Sequence, residues 1–374
     1  AKDNNINENN VTKSQKLVAK FPSIEDIFSE IENYESQTND WIEDIHESVD
    51  EISKVTENIK LDLLKSDEIT WEEQQKIENT FEEINNIANQ MEEIKSNIEK
   101  ILEKAEENNL FNKDLTDKFD KLQDMIQNIM TPELMEAIQQ MQESLKSTDI
   151  NKIMESLENY EFNIEKFEEQ IDRFIDMFEL ALAEQKLNEL SEHIENMIAK
   201  QEQLIEDIKN NKETKILTNK SIRQENRFSD FENLSKESQT AINNISQYAA
   251  QNLEEMLNDK LINETKNALQ DQSDKISSNN DNALDPASDS NKNLKEISSL
   301  INEIIEQFNN ENKQKMSKEF ISIINNLFVM SNEQEQLIQE SIGLRSNSPK
   351  IREINQMQYN LDKELVNITK QLIN

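Results

Sequence analysis

Two histidines, His46 and His193, come nearer to a known metal chemistry than any other residues in this sequence. Glu43 lies three positions before His46, and this Glu-x-x-His spacing is the one that di-iron carboxylate bundles use. Such a site needs a second copy of the motif and two further glutamates, but Leu190 occupies the matching position before His193. The sequence therefore predicts no metal site. Each histidine is interpreted as solvated or as flanking an apolar helix face.

The usual signatures of other active sites are also missing. The chain has no cysteine, so it offers no thiolate nucleophile, no thiolate metal ligand and no disulfide. It contains no Gly-x-Ser-x-Gly elbow, Walker loop or His-Glu-x-x-His helix. Asp and Glu number 77 and occur along the whole chain, as expected for solvated helix faces. We therefore expect a protein that is not an enzyme, with no catalytic or cofactor-binding residues and no cofactor.

The charge balance limits the partners. The formal net charge is −37, and phosphate backbones and anionic lipid surfaces repel such a chain, so we expect no nucleic-acid partner. The stretch 209–227 inverts this charge locally. It could dock an acidic partner or balance the acidic helices of its own bundle, and the sequence does not decide between the two. Its basic residues are Lys209, Lys212, Lys215, Lys220, Arg223 and Arg227.

The elements that position these residues are predicted to be helices. Thr70 with Glu73 forms a capping box, Pro132 takes the favoured first helical position, and Ser147-Thr148-Asp149 supplies a further cap. Apolar residues then recur at intervals of three and four, the spacing of a coiled-coil stripe. The longest stripe predicts a helix over about 149–210, and its members are Ile153, Leu157, Tyr160, Ile164, Phe167, Ile171, Phe174 and Phe178.

Three members of that stripe, Phe167, Phe174 and Phe178, allow two interpretations. They could line a ligand groove, or they could pack in a helical core. The spacing continues the aliphatic stripe on either side, so core packing is favoured.

The organisation predicted along the chain is all-α and elongated, built from antiparallel helical hairpins and coiled-coil segments. A single glycine, Gly343, follows a helix that should end near Ile342, where a left-handed helix cap would lie. The predicted segments are a disordered tail (1–20), a helical hairpin (21–110), a central helical and coiled-coil region (111–210), a basic segment with a weaker helix (211–270), a linker (271–292) and a C-terminal helical region (293–374).

No run of 18 apolar residues is present, so we expect no transmembrane helix and no direct lipid insertion by this chain. The most apolar stretch, 320–330, is short and is interrupted by Asn325 and Asn326. The chain begins with Ala1 rather than Met. We expect it to be a soluble piece of a longer protein, although a processed mature chain would look the same.

Several runs of sequence also resemble a known family. They are FPSIEDIF (21–28), LLKSDEITW (63–71), NNLF (108–111), MTPELMEA (130–137), EFNIEKFEEQIDR (161–173), AEQKLNEL (183–190) and LRSNSPKIREI (344–354). Together they resemble an uncharacterised family of large bacterial coiled-coil proteins with membrane anchors near the N-terminus. The resemblance covers most of residues 21–374, and it implies a non-enzymatic role at the bacterial cell envelope. It implies no site residues.

The function expected from these observations is a structural or scaffolding protein that contacts itself or other proteins through its helices, and a homo-oligomer is one form this could take. The alternative is a secreted or surface-exposed helical binding protein of the adhesin or effector kind. A pore-forming toxin is a weaker hypothesis, because it needs an apolar hairpin able to enter lipid. The compartment is expected to be the periplasm or membrane surface, with the cytoplasm left open.

Overall fold

The structure is a computed structural model that describes residues 24–65, 69–147, 149–278 and 281–342, together with 350, 354–362, 365 and 368. Every element in these residues is helical, so the all-α prediction is confirmed. The helices are α1 (Ile24–Leu63), α2 (Trp71–Asn108), α3 (Lys113–Ile129), α4 (Pro132–Ser144), α5 (Ile150–Lys209), α6 (Thr214–Asn243), α7 (Gln247–Asn258), α8 (Lys260–Ser277) and α9 (Leu284–Ser341). The predicted tail 1–20 and the Gly343 cap lie outside the described residues.

Local sequence chemistry sets several of these bounds as expected. Thr70 accepts from the amide of Glu73 and the Glu73 carboxylate accepts from the amide of Thr70, which is the predicted capping box of α2. Asn109 closes α2 in a left-handed conformation with φ 54°. Pro132 occupies the first turn of α4, and Asp149 caps α5. The helix predicted over 149–210 is observed as α5.

A first bundle of four antiparallel segments is formed by α1, α2, α3 with α4, and residues 150–182 of α5. Its direction is visible in hydrogen bonds between helices. Asn97 Nδ2 on α2 donates to the Tyr34 carbonyl on α1 at 3.4 Å, and Ser48 Oγ, later on α1, donates to Glu83, earlier on α2, at 2.8 Å. The same reversal relates α1 to α5, because Ser53 Oγ donates to Glu168 at 2.6 Å and Lys60 pairs with Glu161. The enclosed core is aliphatic and aromatic, and includes Ile31, Ile45, Ile84, Ile98, Leu115, Phe119, Leu134, Met141, Leu157 and Phe167.

A second bundle is formed by residues 183–209 of α5, α6, α7 with α8, and residues 284–311 of α9. Gln224 Nε2 on α6 donates to the Met197 carbonyl on α5 at 2.8 Å, and Asn252 Nδ2 on α7 donates to Gln307 on α9 at 2.6 Å. Its core includes Leu190, Ile194, Phe228, Phe231, Leu253, Leu269, Leu294 and Ile301. In both bundles the third segment is broken into two helices, α3 with α4 and α7 with α8.

The two bundles share α5, which has 60 residues and is therefore about 90 Å long. At the junction, around residues 183–190, nearly every α5 side chain is buried. The first bundle still covers one side of the helix here, and the second bundle already covers the other. The shift in apolar spacing between Phe178 and Leu187 is therefore the place where α5 exchanges one core face for another.

The sequence misplaced two features in the second bundle. The linker expected at 271–292 is wrong, because α8 continues to Ser277, a 3₁₀ turn follows at Asp281–Ala283, and α9 begins at Leu284. Its small and polar residues suggested a linker, but Gln272, Ala287 and Ser290 are fully buried between helices. Pro286 lies in the first turn of α9, where no amide hydrogen bond is lost.

The second misplaced feature is the start of the helix after the basic stretch. The basic segment was expected to precede a weaker helix within 211–270, but α6 begins at Thr214, inside the basic stretch. The periodicity was hard to see because the buried face of α6 includes Ser221 and Gln224, which are polar.

Beyond the second bundle, α9 continues as one half of a terminal helix pair, defined as residues 312–341 of α9 with the described residues of 354–368. The two helical segments of this pair run antiparallel, since Lys350 lies 3.3 Å from Glu340 while Gln358, later in the chain, exchanges side-chain hydrogen bonds with the earlier Gln334 at 3.0 and 2.9 Å. Its small core is separate from both bundles and contains Ile323, Met330, Leu337, Leu361 and Ile368.

Candidate functional site

The structure keeps the two histidines apart. His46 is exposed on α1, with Nε2 3.9 Å from Asp172 Oδ1 on α5. His193 is half-buried in the second bundle, and its Nε2 lies 2.9 Å from the Arg227 carbonyl oxygen. Asp172 and His193 are 21 positions apart on α5, which separates the two surroundings by roughly 30 Å. Within the described residues, no group of three or more acidic or histidine side chains is arranged to hold a metal ion.

The phenylalanines of α5 lie in the first core. Phe167, Phe174 and Phe178 are each 1% exposed, and the rings of Phe174 and Phe178 stack with centroids 6.2 Å apart. None of these three rings has a face open to a ligand. Their positions agree with the interpretation that they pack in a helical core.

The basic stretch divides into two parts. Lys212 and Lys220 both bind the buried carboxylate of Asp207, at 2.6 and 2.5 Å, and these bonds lower the pKa of Asp207. Arg223 and Arg227 lie with Lys200 and Lys220 along a shallow groove of about 170 Å³ between α5 and α6. Lys212 and Lys220 thus balance charge within the bundle, and the groove forms a small basic surface on an acidic protein.

The junction of the bundles holds a group of buried charges. Lys186 of α5 lies 3.3 Å from Glu35 of α1 and 3.7 Å from Glu189 on its own helix. Burial raises the pKa of Glu35, and it raises that of Glu189 to about 7. The neighbouring carboxylates raise the pKa of Lys186 despite its burial. These groups face each other between packed helices with no open cleft, so we interpret them as a structural contact.

The terminal helix pair presents a different kind of surface. Four apolar residues of α9, called here the exposed stripe, follow one helix face beside the small core of the pair. Phe320, Ile321 and Phe328 are 56%, 57% and 67% exposed, and Ile324 between them is half-buried. Large apolar groups arranged contiguously on a surface typically mark a protein or membrane contact.

The surroundings of the exposed stripe are unusual for this chain. Residues 320–332 carry no charged side chain, although 31% of the whole chain is charged. Lys313, Lys315, Lys318 and Glu319 precede this interval, and Glu333 and Glu335 follow it. The stripe is therefore an uncharged interval between a mainly basic flank and an acidic flank. Within the described residues, no helix is both long and apolar enough to cross a membrane.

The sequence contained part of this signal. It identified 320–330 as the most apolar stretch, but it did not separate the exposed stripe from the inner face formed by Ile323 and Met330. This part of α9 has two adjoining apolar faces. The described residues of 354–368 cover the face with Ile323 and Met330 and leave the exposed stripe open, and only the tertiary structure shows this difference.

Comparisons with protein-family models, with curated proteins and with solved structures find no match to this chain.

Proposed function

We propose that the protein is a non-enzymatic scaffold that acts through helix–helix contacts with proteins, and that it works at the bacterial cell envelope as part of a longer chain. The observation that supports this most is the contrast between surfaces. The two bundles enclose most of their apolar residues and expose separate ones such as Trp71 and Phe162, whereas the terminal helix pair exposes Phe320 and Phe328 together on an uncharged interval. The family resemblance supports the envelope location.

The long helix α5 supports the same proposal. A continuous helix of about 90 Å that belongs to two bundles holds them at a fixed separation. A spacer of this kind, with a contact surface on the helix pair beyond it, is suited to hold protein partners at a set distance. The net charge of −37 argues against nucleic-acid and anionic-lipid partners.

A second candidate is a secreted or surface-exposed binding protein. The groove lined by Lys200, Arg223 and Arg227 favours it, because this basic surface on an acidic protein would attract an acidic partner.

The scaffold proposal is tested by site-specific photo-crosslinking in the native cell. A photoreactive amino acid replaces Phe328 in the exposed stripe, and a matched control places it at exposed Glu333, on the opposite face of the same helix. We expect discrete protein adducts from position 328 that are absent from position 333. Adducts only to lipid or nucleic acid, or identical patterns from both positions, would contradict a protein contact at this surface. Strong adducts from position 223 but none from 328 would favour the second candidate.

A further inference from the structure

Three of the four residues in the exposed stripe are arranged symmetrically about Ile324. Phe320 lies four positions before it and Phe328 four positions after it. Spacings of three and four keep residues on one helix face. In an antiparallel pair of these helices centred on Ile324, Phe320 of each copy would therefore lie opposite Phe328 of the other. The two Ile324 side chains would face each other.

The symmetry continues outward along the same face. Ser317 and Ser331 lie seven positions on either side of Ile324, and Lys313 and Glu335 lie eleven positions on either side. All four of these side chains are exposed. The residues four positions from Ile324 are both Phe, those seven positions away are both Ser, and those eleven positions away carry opposite charges. An antiparallel pair of these helices would thus place Lys313 of each copy against Glu335 of the other.

We propose that the terminal helix pair is a homodimer interface, in which α9 of one copy lies antiparallel to α9 of a second copy about a twofold axis at Ile324. This inference rests on the proposed function, since it names a second copy of the chain as the partner of the exposed stripe. A twofold contact uses the same patch on both subunits, and this patch is self-complementary in apolar character and in charge.

The charge distribution favours a second copy. Two chains that each carry −37 repel one another over most of their surfaces. The interval 320–332 removes that repulsion where the copies meet, and the Lys313–Glu335 pairs at both ends add attraction. In a parallel arrangement, Lys313 would face Lys313 and Glu335 would face Glu335, so the charges specify the antiparallel orientation.

The fold favours the same partner. Each core in the first and second bundles is enclosed by four helical segments, whereas two segments enclose the small core around Met330 in the part of the chain that the structure describes. A second terminal pair brings the number of segments to four. The contact from position 313 to 335 extends over about 33 Å of helix.

Light scattering of the purified full chain across a dilution series tests the proposal. We expect a dimer, and we expect Ile324→Glu to weaken it by about a hundredfold or more, because two carboxylates would meet at the axis. The control is Asn326→Glu, which adds the same charge at an exposed position off the stripe and should leave the dimer intact. Circular dichroism confirms that helix content is retained.

Charge reversal tests the register. Lys313→Glu should weaken the dimer by about tenfold at low salt, since both end pairs become repulsive. The double variant Lys313→Glu with Glu335→Lys should restore it. Because the chain has no cysteine, Ile324→Cys adds a single thiol at the axis. It should form a disulfide-linked dimer readily, whereas Asn326→Cys should not.

Different experimental results would overturn different parts of the proposal. A chain that is monomeric at every concentration overturns self-association, even if photo-crosslinking in cells still finds another protein at position 328. A dimer that tolerates Ile324→Glu overturns this interface, and failure of the double charge reversal to restore the dimer overturns the register. Loss of all protein adducts in cells would count against the scaffold, whatever light scattering shows.

Discussion

The first bundle and the second bundle share one helix and the same up-down-up-down order, yet their cores differ in kind. The first core is apolar throughout most of its length, and its polar contacts are isolated, such as the 2.7 Å bond between Thr80 and Tyr160. In the second bundle, a polar layer separates the apolar core from a smaller cluster around Leu204 and Leu217. Each of the four segments of the second bundle contributes to this layer.

The polar layer, called here the glutamine layer, consists of Gln201, Gln224, Gln272, Ser221 and Ser290, all fully or almost fully buried. Gln201 Nε2 donates to Ser290 Oγ at 2.8 Å, and Gln272 Nε2 donates to Ser221 Oγ at 2.9 Å. Gln224 Nε2 lies 3.1 Å from Gln201 Oε1. An apolar core tolerates sliding of one helix along another, but a connected polar layer is satisfied in one register only. The first bundle is therefore stabilised mainly by apolar packing, and the glutamine layer fixes the alignment of the helices in the second bundle.

The largest expected effect comes from the first core. Phe174→Ala removes a ring that is 1% exposed and stacked on Phe178, so we expect a loss of about 3–5 kcal/mol in unfolding free energy. Urea unfolding measures the loss, and hydrogen exchange assigns it to the amides of α1 and α2. The control is Phe162→Ala on the same helix, which is 45% exposed and should cost below about 1 kcal/mol. Similar losses from both variants would contradict the packing account.

The glutamine layer should respond differently, because its members depend on each other. Gln201→Leu leaves the partners of Gln201 buried without their hydrogen bonds, at a cost of about 2–3 kcal/mol. Replacing Gln201, Gln224 and Gln272 together by Leu removes the unsatisfied groups, so the triple variant should cost much less than the sum of the single ones. Urea unfolding of all four variants makes the comparison. Strictly additive losses would show that the layer does not act as a unit.

The buried charges at the junction should make the free energy of unfolding depend on pH. Burial raises the pKa of Glu189 from 4.5 to about 7, so the folded protein holds this proton more tightly than the unfolded chain. This contribution to stability is complete below pH 4.5 and is lost as pH rises towards 7. The raised pKa of Glu35 acts in the same direction, and that of Lys186 matters only above 10.5.

Glu189→Gln tests that sign, since glutamine mimics the protonated carboxyl. Between pH 7 and pH 5 the wild-type protein should gain on the order of 2 kcal/mol relative to the variant. Urea unfolding at both pH values provides the measurement. A gain of the wild type on raising the pH would reverse the assigned sign.

The smallest effect is expected at the rim of the second bundle. Lys212→Ala removes one of two ammonium groups on Asp207, but Lys212 is half-exposed and Lys220 remains in place. The loss should stay below about 1 kcal/mol and should shrink further with added salt. Thermal unfolding at low and high salt measures the loss of stability and its dependence on salt. A salt-independent loss above that size would mean that Asp207 depends on both lysines.

These regions also show what the sequence could predict. The caps at Thr70, Pro132 and Asp149 depend on adjacent residues, so the starts of these helices were predicted correctly. The apolar stripe of α5 was equally clear. The glutamine layer was missed, because a buried Gln or Ser looks like a solvated one until its partners on three other helices are known. For the same reason the segment 271–292 was mistaken for a linker.

The exposed stripe was partly predictable. The apolar residues around Ile324 were evident, but apolar spacing alone predicts burial. Only the tertiary structure shows that the partner segment covers one face and leaves Phe320 and Phe328 open. The charge symmetry of Lys313 and Glu335 became meaningful only when that open face was known.

Two unlike bundles are held on one continuous helix, α5. Because the chain has no cysteine, spin labels can be attached at Glu165→Cys and Ala199→Cys, two exposed α5 positions on either side of the junction. Pulsed electron–electron double resonance on the full chain, with labelled protein diluted in unlabelled protein, measures their separation. The 34 intervening steps predict a single narrow distance near 50 Å. A broad distribution, or a clearly shorter distance, would show that α5 bends or breaks between the bundles and would contradict the account.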